Sequence, residues 1–404
     1  MSSVEDATFA HNVRKYLDDQ ILIPVSIPRP AISDPVHGYF SEIVLPPERA
    51  AEADVVMVGF PIDIGASYRM IPGLRPSGGS PAEGAIGIRR GLSFCRTYGF
   101  TMDVDLKTAI KVADVGNIFI ANTDGYDEAF GKLSAVLSDI LATGATPVIL
   151  GGDNSTSYIA FKTFAEHHGG NVGMIWLDAH TDTADNYRGD RYWCGSPMAR
   201  ILELPRELVN PRNVVMVGIR GFDHSHAMVK SGLDAGAAIY PPELFHERGV
   251  LPVMSEILDR VQDGTKAFYV MWDPDVMEAA FIPGHAIPTT GGLLPYQIKQ
   301  LIRLVGLAGA DAMDFVEVAP GLDVRDMTVR LASENVLEFI AALARRRADG
   351  ITTTATRRSP YSSRQCSRAA SSPQAREESQ CPNCSTHPTG PRSPQPTSRK
   401  SSAG

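Results

Sequence analysis

Val172-Gly173-Met174-Ile175-Trp176-Leu177, followed at once by Asp178-Ala179-His180-Thr181-Asp182, is the stretch that decides the fold. A short uncharged run bounded by polar residues reads as a strand buried on both faces, as inside a parallel sheet. The pattern returns at Ala267-Phe268-Tyr269-Val270-Met271-Trp272, which runs into Asp273-Pro274-Asp275. In open α/β sheets the edge where strands end and loops begin is where ligands bind. Four carboxylates and an imidazole gathered there repel one another unless a cation joins them. Hard oxygen donors with one nitrogen suit a divalent ion such as manganese. Taken singly, each motif also reads as an N-cap or turn, because Asp is common after strands. Two of them favour the metal.

Working outward, the same strand style appears at Val55–Phe60, Pro147–Leu150, Val214–Ile219 and Phe315–Val318. Between these runs, apolar residues recur at helical spacing: Phe130, Leu133, Val136, Leu137, Ile140 and Leu141; then Ile298, Leu301, Ile302 and Val305. A third set, Val336, Leu337, Phe339, Ile340 and Leu343, ends at Arg345-Arg346-Arg347, where cations complement a helix C-terminus. Alternating strands and helices predict a three-layer α/β/α domain around a central, mostly parallel sheet. Residues 51–349 are expected to form that domain. The proline-rich residues 1–50 are expected to form an N-terminal arm over it. Residues 350–404 form a low-complexity tail, expected to be disordered because Leu, Val, Met, Phe and Trp are absent after Ile351.

The net charge is −8, and the segment from Ile351 carries eight Lys/Arg against two Glu, so the body before it stands at −14. An acidic body argues against a nucleic-acid partner. No apolar stretch approaches the ~20 residues needed to span a bilayer, and the first residues lack a secretory pattern. Five scattered cysteines make no disulfide framework. The expectation is a cytoplasmic protein without a membrane partner. Cys381-Pro382-Asn383-Cys384 with His387 is half of a zinc knuckle without a second pair, and is read as chance.

Taken in order, Gly151-Gly152-Asp153-Asn154-Ser155, Asp178-Ala179-His180-Thr181-Asp182 and Asp273-Pro274-Asp275 resemble the three signatures of the ureohydrolases. That family comprises arginases, agmatinases and related amidinohydrolases, and the closer likeness is to agmatinases. Gly218-Ile219-Arg220-Gly221, Phe281-Ile282-Pro283-Gly284, Gly291-Gly292-Leu293 and Glu317-Val318-Ala319-Pro320 add to the likeness, which spans roughly residues 50–347. The resemblance implies two manganese ions that supply a hydroxide for hydrolysis of a guanidino compound to an amine and urea. It implies that Asp178 and Asp273 bridge the ions, that Asn154 and Asp182 complete the first, and that His180 and Asp275 complete the second. Asp182 also takes a hydrogen bond from the nucleophile, Glu317 belongs with the substrate, and the assembly is a trimer or hexamer.

Three positions depart from the family pattern. Asn154 stands where the first signature usually has His, and offers an uncharged carbonyl oxygen instead. Cys194, in Tyr192-Trp193-Cys194-Gly195-Ser196-Pro197, stands where a His commonly passes a proton to the leaving amine. Thr289, in Ile287-Pro288-Thr289-Thr290, occupies a stretch where relatives carry a Glu for the guanidinium. Two readings follow: an active metal-dependent hydrolase with an altered substrate or proton path, or a catalytically impaired protein of this fold kept for binding or assembly. Other residues have plainer expectations. His224 and His226 read as solvated loop residues, His285 as a surface-loop histidine with a weaker case for proton transfer, and the three tryptophans as packing. Tyr68, Arg69 and Arg75 lie in a loop that often meets substrate in this family.

Overall fold

The computed structural model describes residues 3–31, 38–66 and 79–351; Tyr68, Arg69, Arg75 and the basic tail fall outside these. Eleven strands form among the described residues. They are β1 (Leu22–Ile23), β2 (Val55–Gly59), β3 (Tyr98–Gly99), β4 (Val104–Asp105), β5 (Val112–Ile118) and β6 (Thr146–Leu150), then β7 (Val172–Leu177), β8 (Val209–Val217), β9 (Ala238–Tyr240), β10 (Ala267–Trp272) and β11 (Ala312–Phe315). Nine of them make one sheet in the order β1-β5-β2-β6-β11-β10-β7-β8-β9, while β3 and β4 pair separately. Every pairing in the large sheet is parallel except β1 against β5.

Side chains alternate across a strand, so each strand feeds two cores. Val56 and Val58 of β2, Trp176 of β7 and Tyr269 of β10 point into one core, with Phe130, Leu137, Phe161 and Phe164 of the helices Tyr126–Ala142 and Ser155–His167. Val55 and Met57, Ile175 and Leu177, and Phe268 and Trp272 point into the other. There they meet helices Gly84–Leu92, Val250–Val261, Pro295–Ala308 and Met327–Ala348. At roughly 1.5–3 kcal/mol per fully buried apolar side chain, these two cores are the main favourable term holding the layers together. The helix Ser3–Asp18 places Phe9 and Val13 in the first core.

The expected helices all form. Two strands differ: β8 runs Val209–Val217, not Val214–Ile219, and β11 covers Ala312–Phe315, not Phe315–Val318. Glu317 has φ 57°, a left-handed conformation that no strand tolerates, so the chain turns there and Glu317 becomes a loop residue. A second close fit fixes the edge at β6. A Cβ on Gly152 would lie 1.9 Å from the Ile62 carbonyl oxygen, so only glycine lets these two loops meet.

Candidate metal centre

β6, β11, β10, β7 and β8 are consecutive neighbours, so their C-terminal ends converge on one edge. The loop after each delivers a polar side chain: Asn154 after β6, Glu317 after β11, Asp273 and Asp275 after β10, Asp178, His180 and Asp182 after β7, and Arg220 after β8. Asn154, Glu317, Asp273, Asp275, His180 and Asp182 wall a cavity of about 230 Å³, together with Trp193, Cys194, Asp223, Met228, His285 and Ile287. Arg220 does not face the cavity acids. Its guanidinium donates to the carbonyl oxygens of Gly218, Asp275, Met277 and Thr290, tying the β8 and β10 loops together.

Backbone geometry aims the acids. Asp273 caps the short helix Pro274–Val276 by accepting the Asp275 N–H, and Asp275 Oδ1 accepts the Ala179 N–H at 2.8 Å, stitching the two motifs together. Asp178 Oδ1 accepts the His180 N–H at 2.6 Å. Asp182 has φ 46°, and with Glu317 it is the second site carboxylate held in the left-handed region. Such conformations cost of order 1–3 kcal/mol and persist only where the surroundings fix them, a frequent mark of a functional site.

The electrostatics are one-sided. Burial raises Asp178 to about 7, with Asp275 adding to it. Burial, then neighbouring carboxylates, pushes Asp182, Asp273 and Glu317 well above the usual carboxylate range. Asp275 is the exception: burial would raise it, but His180 holds it low. His180 in turn is raised, because Asp275 and Asp178 outweigh the burial that disfavours its charge. Its Nδ1 lies 2.8 Å from Asp275 Oδ2 and 3.4 Å from Asp178 Oδ1. Oxygen-rich donors, most of them uncompensated, with one imidazole nitrogen facing them fit a pair of hard divalent cations.

The departures can now be placed. The Asn154 amide nitrogen donates to Asp182 Oδ2 at 2.5 Å and Asp178 Oδ2 at 3.2 Å, while its carbonyl oxygen accepts from Ser157. The carbonyl oxygen expected to serve a metal therefore faces Ser157 and not the acids. Cys194 lines the cavity, and burial, reinforced by Glu317 and Asp182, raises its thiol well above its ordinary range. Thr289 is buried outside the cavity wall, its hydroxyl 3.4 Å from Asp223. Glu317 is on the wall, one oxygen accepting the Asn154 N–H at 2.9 Å.

Three expectations are corrected. His285 is buried in the cavity, only 6% exposed, its ring against Asp273. His224 is half-buried, its Nε2 accepting the Thr181 N–H at 3.1 Å and its ring 5.6 Å from that of His180. Trp193 lines the cavity instead of packing in the core. Asp223, at the rim, carried no signal in the sequence beyond its place after Gly218-Ile219-Arg220-Gly221; only its distance of 3.7 Å from His180 Nε2 reveals it.

Mitochondrial agmatinase of Gallus gallus is 32% identical over 309 residues, 76% of this chain and 86% of that protein. Mitochondrial guanidino acid hydrolase of Homo sapiens is 30% identical over the same length, 83% of its own. The solved structure of proclavaminate amidino hydrolase from Streptomyces clavuligerus superposes with a TM-score of 0.65 at 30% identity, covering 80% of this chain and 97% of that one. The model of the Arginase family matches residues 53–342, from β2 through most of the last helix, and the chain belongs to that family.

Proposed function

We propose that this protein is a metal-dependent amidinohydrolase that cleaves a small guanidino compound, adding water across a C–N bond to give an amine and urea. The observation that carries the reading is the gathering of four buried carboxylates at one sheet edge, Asp178 and Asp275 beside His180 and Asp182 and Asp273 close by, more negative charge than the one imidazole among them offsets. Asp178, Asp182, Asp273, Asp275 and His180 would hold two divalent ions, manganese by the family's habit, which when bound would supply hydroxide near neutrality, as a delocalised guanidinium carbon requires. Asn154 joins only if its amide turns over, which exchanges its oxygen and nitrogen between Ser157 and the acids.

The remaining wall residues handle the substrate. Glu317 offers its outer oxygen to guanidinium N–H groups. Asp182 accepts a hydrogen bond from the attacking oxygen. Cys194 stays a neutral thiol, able to donate towards the leaving nitrogen but a weaker acid than an imidazolium. Trp193, Met228 and Ile287 keep water out of one side of the cavity. Thr289 acts through Asp223 and not by direct contact. Agmatine, which the chicken relative's name implies, and guanidino acids, which the human relative's implies, are the first substrates to try. A homo-oligomer and a reducing, cytoplasmic setting complete the proposal; the free thiols of Cys95 and Cys194 suit the latter.

One observation favours the second reading, of an impaired enzyme. The Asn154 amide occupies oxygens of Asp178 and Asp182 that the first ion requires. Both readings meet the same experiment: Mn2+ per chain after loading and desalting, and urea released from a panel of guanidino compounds. Two ions and urea support the hydrolase. One ion or fewer and no urea from any compound support the impaired protein.

A further inference from the structure

Two histidines stand beside the same carboxylates, and their second nitrogens tell them apart. His285 Nε2 lies 3.1 Å from Asp273 Oδ1 and 3.7 Å from Asp275 Oδ2. Asp273, Asp275 and His285 thus bring three ligand-capable atoms within 4.8 Å of one another, as Asp178, His180 and Asp275 also do. By distance alone His285 would be a second imidazole ligand, replacing the one that position 154 does not provide.

The other side of each ring decides. A metal-ligating imidazole keeps a proton on its second nitrogen and donates it to a carboxylate, carbonyl or water. His180 is arranged that way: Nδ1 faces the acids, and Nε2 faces the Asp223 carboxylate 3.7 Å off. His285 is arranged the opposite way. Its Nδ1 accepts the backbone N–H of Ile287 at 3.1 Å, and a backbone N–H can only donate. Turning the ring over would set that N–H against a carbon, so the assignment does not rest on a free choice of orientation. The single proton of the neutral ring is therefore on Nε2, the nitrogen turned towards the acids. That N–H is buried and makes no aligned hydrogen bond among the described residues. An unsatisfied buried donor costs about 1–3 kcal/mol, which is recovered when an acceptor turns to meet it.

We propose that His285 is a fixed N–H donor set against Asp273 and Asp275, a positioning residue that orients the Asp273 carboxylate, and not one of the imidazoles that hold a metal. The proposal rests on the reading of the cavity as a metal centre for its purpose, but not for its tautomer. Ligating carboxylates work best when a hydrogen bond fixes the oxygen that does not ligate, and losing such a partner typically weakens metal affinity or activity 10- to 100-fold. Position 285 gives the Asp273 side a donor, while His180 alone supplies a nitrogen ligand.

Two measurements test it. In the metal-free protein labelled with 15N-histidine, long-range 1H–15N spectra, assigned to His285 by difference against His285→Gln, report the tautomer directly. A proton on Nε2 is expected; a proton on Nδ1 overturns the proposal, whatever the protein does with metal. Mn2+ titration then compares variants. His285→Gln retains an N–H at similar reach and should keep affinity within about threefold, whereas His285→Leu should lose about 10- to 100-fold. His180→Gln should shed one ion per chain. If His285→Gln sheds an ion as His180→Gln does, His285 is a ligand; if His285→Leu leaves Mn2+ affinity unchanged, it orients nothing. Failure of the wild-type chain to take Mn2+ would sink the proposed function while leaving the tautomer result standing.

Discussion

Two of the buried polar clusters contrast, one closed and one open. In the first, Arg89 of the helix Gly84–Leu92 reaches β5. Its guanidinium donates to both oxygens of Asp114 at 2.7 and 2.8 Å, to Asn117 at 2.6 Å and to the Gly116 carbonyl oxygen at 3.0 Å. Asp114 also accepts the Gly116 N–H. Each charge has its opposite and the hydrogen-bonding capacity is filled. In the second, at the ends of β6, β11, β10 and β7, carboxylates face carboxylates, and the Nε2 atoms of His180 and His285 have no aligned partner. The carboxylates of both clusters are buried, so burial does not distinguish them. A set that satisfies itself is architecture; a set that leaves charge over is built for something added later.

The sharpest way to break this contrast is to mutate both clusters. Asp178→Asn and Asp273→Asn should abolish Mn2+ binding and hydrolysis, yet leave the metal-free fold as stable as before or more so, because each removes a repelled charge. Arg89→Met should do the reverse. Stranding Asp114 without its partner costs about 3–5 kcal/mol, while the surviving folded protein should bind Mn2+ normally. Metal analysis beside chemical denaturation reads both. A site variant that unfolds the chain, or an Arg89 variant that loses metal from intact protein, would erase the distinction.

A smaller effect comes from pH. Asp178 stands at about 7 in the metal-free fold, above its unfolded value of roughly 3.9. The native state therefore holds more protons than the unfolded one between those values. Its contribution to metal-free stability then falls as pH rises through roughly 4 to 7 and levels off above. Metal binding needs the deprotonated carboxylates, so its stabilising effect grows over the same interval. The gap in Tm between Mn2+-loaded and chelator-treated protein should be wider at pH 8 than at pH 5.5. A gap that narrows contradicts the assignment of these acids as ligands.

The open cluster was largely legible in the sequence, and the closed one was not. Asp178, His180, Asp182, Asp273 and Asp275 follow unbroken apolar strands, so their place at a sheet edge can be read without coordinates. β5 was missed because Asp114, Gly116 and Asn117 interrupt its apolar pattern; Arg89, from another element, is what makes them tolerable there. The helix that carries Arg89 was missed for a related reason. Gly84, Gly87 and Gly91 are poor helix formers and carry no apolar periodicity, yet a Cβ at Gly87 would lie 2.5 Å from Pro320 and one at Gly91 2.1 Å from Ser333. The roles of His285, Asp223 and Trp193 depend on how loops fold over the strand ends, and no periodicity encodes that.

The finest test concerns two of the three residues that depart from the family pattern, Asn154 and Cys194. Asn154 now donates N–H bonds into the acids, softening their repulsion as a poor substitute for a cation. An imidazole there would present a lone pair instead. Asn154→His should tighten the weaker Mn2+ by about tenfold, a little over 1 kcal/mol, and raise turnover only if that ion is limiting. Cys194 lies on the same wall with a thiol that burial keeps protonated. Replacing it with His installs a group that titrates near neutrality, so Cys194→His should raise turnover a few-fold without changing metal content. Affinity from titration and turnover from urea release separate the two. If Asn154→His instead lowers occupancy, the amide is itself part of the working site, most simply by turning its oxygen to the ion. The open cluster would then be tuned to asparagine and not weakened by it.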